Sequence, residues 1–175
     1  MSNETDKSEE RLANLESEMR RVLNYVDKAN NFLERTETDA SLNQARKAVE
    51  AICKQIYIKE GFDKKNIPAF KAPLDELIKR FREEINKGNA FMPRVILTHL
   101  CTIRDLGNLA SHDQGEETGK ITHLTGSNCL SILSEVVTWC FEEYHDVPLM
   151  QLEEKGTTAE AGGVAHIPLV ETSVG

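Results

Sequence analysis

The sequence predicts an all-α protein: a five-helix bundle with a long heptad-patterned N-terminal helix and a disordered C-terminal tail. Three observations carry that expectation. Apolar residues recur at gaps of three and four in five successive segments, the period of a helix with one buried face. No segment shows the strict alternation of a half-buried strand. Aromatic residues make up only 6% of the chain, while Leu, Ala, Glu, Lys and Arg are frequent, a composition that leans to helix. At 175 residues the chain suits one domain with one core and flexible ends.

Residues 1–8 are polar and are expected to be disordered. The first helix covers about 9–35. Its apolar positions, Leu12, Leu15, Met19, Val22, Val26, Ala29 and Leu33, alternate gaps of three and four without a break. That pattern fits the seam of a coiled-coil dimer, and it fits equally an amphipathic helix docked on its own bundle. "SLNQ" then reads as a capping box, with Ser41 as N-cap and Gln44 reaching back. The second helix carries Leu42, Ala45, Val49, Ile52 and Ile56 on one stripe and ends at Gly61 in a left-handed conformation. Phe62 is placed to fold back on Tyr57. After a loop with two prolines, Pro73 suits the start of a third helix, whose buried face is Leu74, Leu77, Ile78, Phe81 and Ile85. Lys87 and Gly88 close it. Pro93 opens a fourth helix through Val95, Ile96, Leu100 and Ile103 into "RDLGNLASH". A polar loop, 113–120, leads to a fifth helix from about Thr125 to Tyr144, holding Leu130, Leu133, Val137, Trp139, Cys140 and Phe141. Residues 146–175 form a flexible acidic tail with one apolar spot, "VAHIPLV", that either docks on a partner or has none.

Charge narrows the function. The net charge of −8 is uneven. Residues 1–60 hold 10 basic and 12 acidic side chains, residues 61–112 hold 9 and 6, and residues 113–175 hold 2 and 11. A nucleic-acid binder is basic overall. Here the last third repels a polyanion, so RNA is a disfavoured partner. No apolar run approaches the roughly 20 residues of a membrane span, so no membrane partner is expected. The polar, acidic N-terminus is neither a signal nor a transit peptide, and a cytoplasmic protein is expected. Cys53, Cys101, Cys129 and Cys140 lack the C-x-x-C spacing of a zinc or redox site and read as free thiols among apolar residues. Nucleotide-binding, zinc-protease and serine-hydrolase signatures are absent, and no cofactor or metal is expected.

The stretch "RDLGNLASH" departs from generic helix. Arg104, Asn108 and His112 are four apart and share one slowly drifting stripe, with Gly107 beside it. A mid-helix glycine costs about 1 kcal/mol against alanine, which suggests a close neighbour at that point. The second helix offers Arg46 and Glu50 at i, i+4. Together, Arg46, Glu50, Arg104, Asn108 and His112 could form a polar network between two helices. Two roles fit. His112 as general acid or base with Arg104 on a phosphate is the minimum for metal-free RNA cleavage. Alternatively nothing reacts: Asn108 and His112 bind backbone at the helix end, and Arg104 pairs with Glu50. A single suitable histidine and the absence of a basic surface or aromatic platform favour the second role.

The segments "ARKAVEAICKQIY", "IRDLGNLASHD" and "LSEVVTWCFEEY" resemble the HEPN superfamily, in its branch of short helical domains found alone or fused to restriction-enzyme subunits, helicases and other prokaryotic defence proteins. The resemblance covers about residues 38–145 and rests on "GN-x-x-x-H" with an upstream "R-x-x-x-E". It implies a helical domain that dimerises. Ribonucleases of the superfamily carry an Arg, four to six spacer residues and a His, whereas seven residues separate Arg104 from His112. The resemblance therefore implies a non-enzymatic dimerisation and interaction module of a prokaryotic defence setting, homodimeric and with a further protein partner. The seam Leu12, Leu15, Met19, Val22, Val26 and Leu33 is the expected interface. A metal-independent endoribonuclease or toxin and an antitoxin-like partner of a basic protein are the alternatives.

Overall fold

The computed structural model describes residues 2–64, 66–112 and 121–149. Among them are five α-helices and no strand. They are α1 (Ser2–Glu34), α2 (Thr38–Lys59), α3 (Leu74–Asn86), α4 (Arg94–Ser111) and α5 (His123–Thr138). A 3-10 turn, Phe62–Lys64, follows α2, and a π-helical stretch, Trp139–Tyr144, prolongs α5. The all-α bundle is as the periodicity predicts. The polar loop 113–120 and the tail beyond Leu149 lie outside the described residues.

Helix α2 is the hub, packed against the other four helices. Its stripe, Leu42, Ala45, Val49, Ile52 and Ile56, is almost wholly removed from solvent. The predicted face of α3 is buried throughout, as are Leu133, Val137, Trp139, Cys140 and Phe141 near the C-terminal end. Leu130 is half-buried. On α4, Ile96, Leu100 and Ile103 enter the core, but Val95 stays 56% exposed.

Three expectations need correction. Helix α1 begins at Ser2, so 2–8 are helical rather than disordered. Its N-terminal end carries Glu4, which complements the helix dipole, and Ser8 Oγ donates to the carbonyl of Thr5 at 2.7 Å. Ser41 is not an N-cap. The turn after α1 closes through Thr36 at φ +61°, and α2 starts at Thr38. Ser41 lies inside α2, fully buried, and donates through Oγ to the carbonyl of Ala29 at 2.7 Å, tying α2 to α1. A serine ahead of an apolar run looks the same in sequence whether it caps its own helix or bonds its neighbour.

The third correction concerns the heptad seam. Met19, Val22 and Ala29 are buried within the chain itself, and Leu33 lies against Gly126 of α5. The helix that the seam asks for is α2, returned by a short turn as an antiparallel neighbour. Val26 and Leu15 are half-buried, and Leu12 alone of the seam is 51% exposed. The seam as a whole is therefore not available to a second chain.

Element ends follow local chemistry. Gly61 closes α2 at φ +73°, its N–H donating to the carbonyl of Ile58, and Phe62 meets Tyr57 edge-on at 5.8 Å between ring centroids. Phe62 also meets Phe91 at 5.6 Å, and Phe81 completes the triangle, at 6.2 Å from Phe62 and 5.6 Å from Phe91. This aromatic cluster joins the end of α2, the middle of α3 and the approach to α4. Helix α5 starts two residues earlier than expected because Thr122 Oγ1 accepts the N–H of Thr125.

Candidate functional site

The polar spot exists, with a changed membership. Where α4 crosses α2, Gly107 removes the side chain that would hold the helices apart. A Cβ there would lie 2.6 Å from the Cβ of Arg46. The Arg46 stem lies across this gap, and its Nε donates to Asn108 Oδ1 at 3.0 Å. Glu50 sits one turn further along α2, 3.9 Å from the Arg46 guanidinium and 2.9 Å from Lys54 Nζ. One turn from Asn108 along α4, Ser111 Oγ donates to Asn43 Oδ1 at 2.6 Å and lies 2.9 Å from the carbonyl of Gly107. Asn43, Arg46, Glu50 and Lys54 are spaced three, four and four apart, one stripe of α2 facing Asn108 and Ser111.

Arg46, Glu50 and Asn108 thus come together as predicted, and Arg104 and His112 do not join them. Arg104 turns to the α3 side. Its guanidinium holds Asp105 at 2.8 Å and Asp75 at 3.3 Å. Burial works against its charge, but the bond to Asp105 and the fields of Asp105, Cys101 and Asp75 outweigh that and leave its pKa raised. The expected Arg104–Glu50 pair is not formed. His112 is past the end of α4, in an extended conformation and exposed; its N–H reaches the carbonyl of Asn108 at 3.3 Å. The stripe logic failed because α4 ends at Ser111, so the helical spacing no longer orients position 112. Asn43, Lys54 and Ser111 were missed, although the α2 spacing carried the signal.

The variants follow from this geometry. Asn108→Ala removes the acceptor for a partly buried charged donor and lowers stability by about 1–2 kcal/mol. His112→Ala touches an exposed position and changes it by less than about 0.5 kcal/mol. Urea midpoints of the two variants check both; a His112→Ala loss equal to that of Asn108→Ala would place the imidazole in the network after all.

A second cluster, not singled out in the sequence, ties the C-terminal end of α2 to the π-helical stretch. Tyr144 Oη donates to Glu60 Oε1 at 2.7 Å, while Lys59 Nζ donates to the Tyr144 carbonyl at 2.9 Å and sits 4.2 Å above its ring. Burial, the Glu60 bond and the nearby carboxylate raise the Tyr144 pKa. His145 packs edge-on against Tyr144 at 4.8 Å; burial, helped by Lys59, lowers its pKa to about 4. The unfolded chain takes up that proton near 6.5 and the folded one only near 4. Stability from this group is therefore complete above 6.5 and is lost as pH falls towards 4. Because His145 is only half-buried, the loss is about 1–2 kcal/mol after allowance for solvent screening. His145→Asn should flatten that part of the stability–pH curve; unfolding curves of the two proteins that fall in parallel between pH 7 and 4 would show that His145 contributes nothing.

The cysteines are free thiols. Cys53, Cys129 and Cys140 are buried, and Cys101 is half-buried. Burial pushes Cys129 up to about 11 and Cys140 to about 12, which keeps both protonated at neutral pH. Arg82 donates to Cys101 Sγ at 3.3 Å. His99 Nε2 lies 2.8 Å from Glu135 Oε2, bridging α4 and α5. Among the described residues no three His, Cys, Asp or Glu side chains converge as a metal site would. No helix among them is long and apolar enough to cross a membrane.

The fold and its polar crossing define a small helical-bundle domain whose α2 and α4 are held by side-chain bonds. The chain belongs to the family described as domain of unknown function (DUF4145), which it matches over residues 27–160. That span takes in the last two turns of α1, from Asp27, and every later helix. Neither a curated protein nor a solved structure matches the chain.

Proposed function

We propose that this protein is a non-enzymatic, HEPN-like helical module that self-associates and docks a further protein in a prokaryotic defence setting. One observation carries the reading. The two side chains that RNA cleavage would need are committed apart: Arg104 is neutralised by Asp105 and Asp75, while His112 stands in solvent beyond the end of α4. A guanidinium already paired to two carboxylates has little attraction left for a phosphate. The residues that do converge bond across two helices, Arg46 to Asn108 and Ser111 to Asn43, with Glu50 beside Arg46 on α2. Such a set fixes how helices meet, and its hydroxyl and carboxylate are already engaged, Ser111 by Asn43 and Glu50 by Arg46 and Lys54.

The test is incubation of purified protein with mixed RNA in chelator, alongside light scattering. Intact RNA and a dimeric mass are expected. RNA cut at defined positions, with the cutting lost in Arg104→Ala, would replace this reading with a metal-independent ribonuclease.

A further inference from the structure

Two surface patches at one end of the bundle complement each other. The first is a groove of about 390 Å³ between the start of α4 and the end of α5. Pro93, Val95, Ile96 and Trp139 give it an apolar floor, and Glu135 and Glu143 an acidic rim. Glu135 is held there by His99. The second is the segment between the 3-10 turn and α3. Phe70 stands 75% exposed on it and Ile67 50% exposed, flanked by exposed Lys64 and Lys71. Lys71 Nζ lies 5.6 Å from the Phe70 ring, so charge and ring are presented together. Large apolar side chains clustered in the open, rimmed by charge, mark an interaction surface.

Both patches belong to the same end of the molecule. Phe62, where the basic segment begins, meets Phe91, just before Pro93 of the groove. Glu60, at the end of α2, is bonded to Tyr144, just after Glu143 of the groove rim.

We infer that a second copy of this chain occupies the groove, with Phe70 and Ile67 of each copy against Val95 and Trp139 of the other, and Lys64 and Lys71 beside Glu135 and Glu143. The inference rests on the self-association in the function proposed above and names its surface. A two-fold pair satisfies both patches twice, since in such an interface each surface meets its complement in both directions. Charge selects the occupant: an acidic rim repels RNA and acidic peptides, and the chain itself carries a basic, apolar segment of matching character. The N-terminal seam is a poorer interface, because α2 already covers it from Met19 onward.

The experiment is light scattering and sedimentation of the full chain at micromolar concentration. The wild type is expected to be dimeric. Phe70→Glu and Val95→Glu, both at exposed positions, should each raise the dimer dissociation constant at least tenfold without moving the thermal unfolding of the monomer. Lys71→Glu and Glu143→Lys should each weaken the dimer, and the double variant should recover it. A dimer whose dissociation constant ignores all four substitutions would overturn this interface while leaving self-association standing. A wild type that stays monomeric would overturn both.

Discussion

Gly107→Val lowers the unfolding free energy by about 3 kcal/mol, the upper range for forcing atoms into a packed contact. A Cβ at this position would lie 2.6 Å from Arg46 Cβ, 2.8 Å from Cδ and 3.1 Å from Cγ. The first of these cannot swing aside, because it is fixed to the backbone of α2. The helices must separate, and Arg46 then loses its reach to Asn108. Gly107→Ala meets the same atom, but its better helix propensity returns about 1 kcal/mol, so its net loss is smaller. Gly126 is the control. A Cβ there meets Leu33 Cδ1 at 2.7 Å and Thr38 Cγ2 at 2.9 Å, both side-chain ends, and Leu33 can rotate away. Gly126→Ala should therefore cost less than about 1 kcal/mol. Urea unfolding at constant slope measures all three. A Gly107→Val midpoint equal to that of the wild type would mean that α2 and α4 do not approach closely.

Phe81→Ala should cost more still, about 3–5 kcal/mol, as large-to-small changes at a sealed aromatic site do. Phe81 is fully buried and its ring contacts both Phe62 and Phe91. Removing it leaves a cavity where α2, α3 and the approach to α4 meet. It also loosens the anchor of the segment that carries Ile67 and Phe70, so limited proteolysis within 62–72 should speed up. Phe70→Ala, at a 75% exposed position, changes monomer stability by less than about 0.5 kcal/mol. Thermal and urea unfolding compare the two; equal losses would remove the distinction between the anchoring ring and the presented one.

The fold was legible because helices advertise a buried stripe. Leu74, Leu77, Ile78, Phe81 and Ile85 could be placed on one face from spacing alone, and all are buried. Gly61 could be placed because few residues other than glycine accept φ +73° at a helix end. The choice of neighbour was not legible. The seam from Leu12 to Leu33 specifies a companion helix but does not say whose, and α2 supplied it. Ser41 failed for the same reason: the sequence displays a hydroxyl, while the acceptor, the carbonyl of Ala29, is fixed only by tertiary packing.

The candidate site was half legible. Gly107 announced a close approach, and Arg46, Glu50 and Asn108 do meet there. Arg104 was misplaced because its partners, Asp75 on α3 and adjacent Asp105, compete with Glu50, and sequence spacing does not rank such competitors. The Lys59–Glu60–Tyr144–His145 cluster joins segments more than eighty residues apart. No local pattern reports it.

The central claim is that the polar set between α2 and α4 holds helices together and that Arg104 and His112 beside it do not react. Expression in cells of wild type and His112→Ala, with growth and RNA integrity followed together, tests it most directly. Indistinguishable growth and intact RNA in both are predicted. Growth arrest with discrete RNA cleavage in the wild type, abolished by His112→Ala in a protein that still folds, would contradict it.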